Sequence, residues 1–201
     1  TPGLYRPHGP APVAGDGNGD GTRDSEQSSV SSIRISVSTS KEGDPDDTPA
    51  STYTTLVAGS ENGKPSADHG TRIAHLEQKK IPPNLPRALE ALGGLTSFQV
   101  ELTPGTHTES FSLYVDPAQH ANGYWLRDRT GTWVNLASEP YSGKVVRDGQ
   151  SLRLDFRIED GGAFDADGET DGIITAPGTA AHMLLSIVGQ ASDAQAHEVW
   201  F

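Results

Sequence analysis

The nine residues Ser151–Glu159 (SLRLDFRIE) constrain this chain more than any other stretch. Leu152, Leu154, Phe156 and Ile158 fall on one parity; Arg153, Asp155, Arg157 and Glu159 fall on the other. Side chains on a strand alternate between faces, so this pattern predicts a β-strand with one face in a core and a charged face in water. The same period recurs in Val30–Thr39, where Ile33, Ile35 and Val37 alternate with Arg34, Ser36 and Ser38. Strands are also predicted over Ser51–Ala58, Thr71–Glu77 (the weakest pattern), Ser97–Leu102, Thr106–Val115, Gly123–Asp128, Thr132–Leu136, Lys144–Arg147, Met183–Val188 and His197–Phe201. Turn dipeptides separate several of them: Pro104-Gly105, Asn122-Gly123, Thr130-Gly131 and Asp148-Gly149. Only Arg87–Leu92 (RALEAL) is good helix material, and Gly93-Gly94 stops it after one or two turns. Many short strands joined by tight turns predict an all-β fold, an antiparallel sandwich of jelly-roll or immunoglobulin-like type. No repeat of domain-array length is present.

The core available to such a fold is thin. Leu, Ile, Val and Phe supply 39 of 201 residues, and the net charge is −12. That balance lies close to the composition of chains that stay unfolded. Bound cations would offset both the repulsion and the small core. The acidic balance and the lack of a basic patch argue against nucleic acid or an anionic membrane as partner. No apolar run is long enough to span a bilayer. There is no cysteine, hence no disulfide framework and no thiolate metal site. The start carries no secretory signal and reads as that of a mature form or an excised piece.

Where the cations would sit is written in Gly15–Gln27, GDGNGDGTRDSEQ. Calcium takes six to eight oxygens, and a tight loop delivers them from positions 1, 3, 5, 7, 9 and 12. With Asp16 at position 1, Asn18 is 3, Asp20 is 5, Gly21 is the turn glycine at 6, Thr22 offers its carbonyl at 7, and Asp24 is 9. Position 12 is Gln27, where a bidentate Glu is usual, so that corner is weak. A second loop, Gly161–Gly172, shares the frame [N/D]-x-D-G-x-x-D. Asp165, Asp167 and Asp171 take positions 3, 5 and 9, and Glu169 offers its carbonyl at 7. Position 1 falls on Ala163 and position 12 on Ile174, neither of which ligates through its side chain; Asp160 or a partner loop would complete the shell. Calcium is therefore the expected bound ion in both loops. A further acidic stretch, Asp44, Asp46 and Asp47, reads as a solvated loop.

Residues 1–15, with four prolines, form no core of their own and read as an extended arm, followed by the calcium loop at 16–27 and the sandwich at 28–201. Such an arm docks on its own domain or on a neighbouring copy, for instance as a strand added to an open sheet edge.

These residues carry a resemblance. GDGNGDGTRDSEQSSVSSI resembles the thrombospondin type 3-like calcium loops that precede modules on bacterial surface proteins. GLTSFQVELTPGTHTESFSLYVDP, GYWLRDRTGTWVNLAS and LRLDFRIEDGGAFDADGETDGIITAPG are similar to the bacterial choice-of-anchor U domain, over about residues 16–178. The resemblance implies an extracellular module near the end of a secreted or surface protein, ahead of a variable sorting signal. This chain departs from that pattern at His197–Phe201, where HEVWF stands and no sorting signal follows.

The chain does not read as an enzyme. Asp68–Glu77 (DHGTRIAHLE) is similar to the catalytic-histidine segment of subtilisin-like proteases, but neither a GTSMA-type serine segment nor a GxSxG elbow accompanies it. His69 and His75 are six apart, without an HExxH context, so zinc is not expected. The Glu159-Asp160 pair reads as a solvated strand end rather than a glycosidase pair. Tyr124, Trp125, Trp133 and Tyr141 fit either a sandwich core or an aromatic platform for a peptide or glycan. The expected function is thus a calcium-binding extracellular structural protein, a self-assembling subunit or module of a surface fibre. The alternative is a peptide- or glycan-binding module of an adhesin.

Overall fold

The computed structural model describes residues 15–37, 50–66 and 70–183. The arm at 1–14, the acidic loop at 41–49, residues 67–69 with Asp68 and His69, and the strand predictions beyond Met183 lie outside the described residues. Within them the chain is an antiparallel β-sandwich, as the alternating pattern predicts. In chain order the strands are β1 (Val30–Val37), β2 (Ala50–Ala58), β3 (Ser60–Glu61), β4 (Lys64–Pro65), β5 (Arg72–Lys79), β6 (Leu89–Glu90) and β7 (Leu95–Glu101). They continue as β8 (Thr108–Val115), β9 (Gly123–Arg127), β10 (Trp133–Asn135), β11 (Lys144–Asp148), β12 (Ser151–Glu159) and β13 (Ile173–Met183). One sheet has the order β1-β2-β8-β12-β11; the facing sheet has the order β10-β9-β13-β7-β5, with β6 paired to the end of β13.

The core lies between the two sheets. Leu154, Phe156 and Ile158 of β12 are buried there, opposite Phe98, Val100, Tyr124 and Ile174. The Tyr124 ring stacks on Phe156 with centroids 4.2 Å apart, and Phe111, the cross-strand neighbour of Phe156, stacks on it at 5.5 Å. Buried aromatic pairs of this kind add packing energy beyond their area. The Tyr124 hydroxyl donates to the Thr96 carbonyl at 3.1 Å, and burial pushes its pKa well above the ordinary tyrosine value.

At one side of the sandwich, edge strands β1 and β5 do not pair directly. The Gln78 side chain bridges them: its Oε1 accepts from Ser36 N at 3.0 Å, and its Nε2 donates to Ser36 O at 2.8 Å. A side-chain amide carries the same donor and acceptor as a peptide group, so it stands in for a strand at an exposed edge.

Four local expectations are corrected. RALEAL is not helical: Leu89 and Glu90 pair with Met183 and His182, and Leu89 and Ala91 are buried against Ala181. A six-residue segment is too short to repay helix nucleation, and burial of Leu89 and Ala91 decides the outcome. The stretch at 59–66, outside the predicted strands, holds the β3–β4 hairpin, whose Asn62 and Gly63 both have positive φ (53° and 90°), as a type I′ turn requires. Ile173–Met183, of which only Met183 falls in a predicted strand, is a strand although Pro177 and Gly178 sit in it. The structure tolerates them because β13 changes partner there: residues 173–178 face β7, and residues 179–181 face β9. Gly178 also leaves room for the Tyr124 ring, which would lie 2.3 Å from a Cβ. Finally, the register of β5 shifts between Ile73 and His75, so Ile73 and Leu76, of opposite parity, both pack on the core.

The β9–β10 turn supplies a pH prediction. Asp128 Oδ1 accepts from the Thr130 hydroxyl (2.7 Å), Thr132 N (2.9 Å) and Thr130 N (2.9 Å). The Thr130 hydroxyl, then the Thr132 N–H, hold its pKa below the ordinary 3.8. A depressed carboxylate stabilises the fold above its unfolded-state pKa, and that contribution is lost as pH falls through the folded value. The Asp128 carboxyl ¹³C resonance should therefore titrate with a midpoint below 3.8. A midpoint at or above 3.8 would show that the turn hydrogen bonds do not persist in solution.

Candidate metal centre

The first loop lies on the outer face of the β1–β2 sheet. Gly17 approaches so closely that a Cβ there would overlap Thr55 Oγ1 and Ser32 Oγ. Asp24 fastens the loop at this point. Its carboxylate accepts from Gly17 N (3.0 and 3.2 Å) and from the Ser32 hydroxyl, which in turn lies 2.6 Å from Thr55 Oγ1. Asp24 N also donates to Gly15 O at 2.8 Å and closes the loop into a ring. Gly15 is thereby tied to the sandwich through one buried aspartate.

Inside the ring, Asp16 receives Asp20 N on Oδ1 (3.2 Å) and Gly21 N on Oδ2 (2.8 Å). A carboxylate offers about four lone-pair sites, so each oxygen keeps capacity for a cation. Asp20 Oδ1 accepts from Thr22 N at 2.8 Å, and Thr22 is exposed. Asp20 Oδ2 accepts from two amides, Gln27 Nε2 at 2.8 Å and Asn18 Nδ2 at 3.0 Å. Burial raises the Asp20 pKa, but the Gln27, Thr22 and Asn18 hydrogen bonds and the charge of Lys64 outweigh it and leave the carboxyl below its ordinary value. Asn18 is buried, and its Oδ1 has no hydrogen-bond partner; Gln27 Oε1 is likewise buried without one. Buried oxygens of this kind carry a desolvation cost of about 1–3 kcal/mol each unless something occupies them. A hard cation is what such a pair, on amides bonded to a carboxylate, fits.

The second loop reproduces the frame but distributes its side chains differently. The turn glycine is left-handed in both loops, Gly21 at φ 91° and Gly168 at φ 68°. Asp165 is buried and spans the loop base, accepting from Gly161 N on Oδ2 (2.9 Å) and Thr175 N on Oδ1 (3.0 Å). Burial pushes its pKa up; those two N–H groups oppose the rise, and the charges of Asp167 and Asp160 add to it. Asp160, also buried, accepts from Gly172 N on Oδ2 at 2.9 Å, while its Oδ1 is without a partner. Asp167 and Asp171 are exposed, each bonded to the N–H two residues on, at Glu169 and Ile173; Glu169 is exposed as well. Ile174 lies in the core and Ala163 in solvent, so positions 12 and 1 contribute no side-chain oxygen. Arg129 reaches into this loop: its Nη2 donates to Gly161 O (2.8 Å) and Gly168 O (3.3 Å). The loop thus already holds a cation, a guanidinium, against two of its carbonyls.

Among the described residues, no three carboxylate or imidazole side chains converge as a metal-ligand group. The oxygens gathered in the first loop are mixed, carboxylate and amide. Sequence spacing located Asp16, Asn18, Asp20, Thr22 and Asp24 in one ring. It did not foresee that Asp24 would turn to the sheet, nor that Ser32 and Thr55 would receive it. In the second loop the spacing missed Arg129, which no local pattern could have revealed.

The other candidates are scattered. Tyr124 is in the core; Trp125 and Trp133 lie on the opposite side of that sheet against Leu85, Leu89 and Met183; Tyr141 meets Phe164 edge-on at 5.7 Å. The four do not form one platform. Glu159 is exposed while Asp160 is buried, and His75 pairs with Glu77 at 3.1 Å on the surface. Among the described residues no helix is long and apolar enough to cross a membrane. No family model matches this chain, and comparisons with curated proteins and with solved structures find no match either.

Proposed function

We propose that this chain is a calcium-binding structural module of an extracellular surface assembly, in which the ion held by Gly15–Gln27 sets the direction of residues 1–15. The observation that carries the reading is the buried, unpartnered Asn18 Oδ1, on an amide whose nitrogen is bonded to Asp20, inside a ring already closed by Asp24 and Gly15. Asp16, Asn18 and Asp20, with the Thr22 carbonyl, would hold the ion; Asp24 would transmit its position to Ser32 and Thr55 on the sheet. Calcium supplies a charge that gathers these oxygens at one point. The second loop, through Asp160, Asp165, Asp167, Asp171 and the Glu169 carbonyl, is the proposed site of a further ion, and there Arg129 competes with it for the loop carbonyls. The absence of cysteine makes calcium the available cross-link for a module outside the cell.

An ion bound with a Kd of about 10⁻⁴ to 10⁻³ M contributes roughly 0.4–1.4 kcal/mol at millimolar calcium. That is small beside the stability of a domain, so calcium acts on the joint rather than on the whole fold. Assembly into a fibre through the arm is the consequence proposed for this joint. Size-exclusion chromatography and limited proteolysis, in millimolar calcium and then in EGTA, test it. Calcium should slow cleavage within residues 1–15 several-fold and shift the chain to larger species. Asp20→Ala should abolish both responses while retaining the β-sheet circular dichroism. Identical elution and cleavage in calcium and EGTA would sink the reading. A peptide- or glycan-binding role has no comparable support, because the four aromatic side chains occupy three separate surroundings.

A further inference from the structure

We infer that Gln27, at the twelfth position of the first loop, is a calcium ligand, and that the Asn18 and Gln27 amides turn over together when the ion enters. The inference rests on the calcium reading above and goes beyond it in naming a ligand that the spacing marked as the weak corner. Two amides converge on one oxygen: Gln27 Nε2 stands 2.8 Å and Asn18 Nδ2 3.0 Å from Asp20 Oδ2. On both amides the other end is the unsatisfied one, since Asn18 Oδ1 and Gln27 Oε1 are each buried without a partner. The amide nitrogen and oxygen are nearly equal in size, and a half-turn of the terminal torsion exchanges them without moving the rest of the side chain. After that exchange, three oxygens face one another: Asn18 Oδ1, Asp20 Oδ2 and Gln27 Oε1. They repel unless a cation lies among them, so turnover and ion entry are one event.

Gln27 differs from the usual acidic residue at this position in two ways. It adds no charge, and it ligates through one oxygen rather than two. With Asp24 committed to Gly17 and Ser32, the carboxylates left to the ion are Asp16 and Asp20, whose two charges balance one calcium. Such a site is neutral when filled, as befits a weak ion site at high extracellular calcium.

The test is a calcium chloride titration of the full ¹⁵N-labelled chain, read at the Gly19 and Gly21 amides, which report this loop alone. Gln27→Glu should tighten binding at least tenfold, and Gln27→Met, similar in shape but without an amide, should weaken it at least tenfold. The gain with Gln27→Glu cannot come from misfolding. In the wild-type chain the Asn18 and Gln27 side-chain NH₂ resonances should shift together with the Gly21 amide. If wild-type Gly19 and Gly21 do not respond to calcium, both the calcium reading and this inference fall. If they respond and Gln27→Met binds as the wild type does, the ligand assignment is overturned while the calcium reading stands.

Discussion

Replacing Arg153 with alanine should destabilise the sandwich by about 3 kcal/mol, the scale of breaking a buried ion pair from one side. By sequence parity Arg153 belongs to the solvent face of β12, where such a change would cost almost nothing. In the structure it is buried. Its Nε donates to Asp155 at 3.0 Å, and its Nη1 donates to Asp148 Oδ2 at 2.8 Å and to the Asn62 carbonyl at 2.7 Å. The Tyr114 hydroxyl adds a contact to the same Asp148 oxygen at 3.1 Å, and Ser112 donates to Asp155 at 2.5 Å. One guanidinium therefore ties the β3–β4 hairpin and the β11–β12 hairpin to the outside of the sheet. Removing it leaves the mostly buried Asp155 carboxylate without its closest cation; Lys144 remains only at 3.9 Å. Urea unfolding monitored by circular dichroism measures the loss. A change below about 0.5 kcal/mol would place Arg153 among ordinary surface charges. The double variant Arg153→Met with Asp155→Asn should recover much of the loss, because the penalty lies in the lone buried charge rather than in the missing contact.

Phe156→Ala should cost about 3–5 kcal/mol, the range for removing an aromatic ring from a packed core. Phe156 is contacted by Phe98, Phe111 and Tyr124, so its loss opens a cavity against three rings that cannot all move in. Against a total of about 5–15 kcal/mol, that is a large share of the stability of a domain with so few aliphatic side chains. The same urea series measures it. A loss under about 2 kcal/mol would mean that the neighbouring rings collapse into the space, and that the core is less tightly fitted than the stacking indicates.

Both variants show how far local pattern carries in this chain. Alternation identified β1, β2, β7, β8, β9, β11 and β12 within a few residues, because the period of side chains along a strand belongs to the strand alone. It failed where a neighbour changed the rule. The bulge at Ile73–His75 let two parities of β5 reach the core. A change of partner let Pro177 and Gly178 sit in β13. RALEAL gave up its helical preference to bury Leu89 and Ala91 on the outer face of the second sheet. The oxygens of the first loop were legible in the same way and to the same limit. Their spacing follows from loop chemistry over twelve residues. The uses to which Asp24 and Gln27 are put follow from what surrounds them.

The sequence by itself determined the class of fold, the turns that carry left-handed glycines, and the two acidic loops with their shared frame. Each of these is set by residues close together in the chain, where sterics and side-chain period act without outside help. The tertiary structure alone decided that Arg153 is inside rather than outside, because a hairpin some ninety positions away covers it. It also turned Asp24 to Ser32 and Thr55, brought Arg129 to the second loop, and set Gln27 beside Asp20 with its oxygen unsatisfied. These are contacts between charged or polar groups, whose energy depends on burial and on the partner met there, and neither is written in spacing.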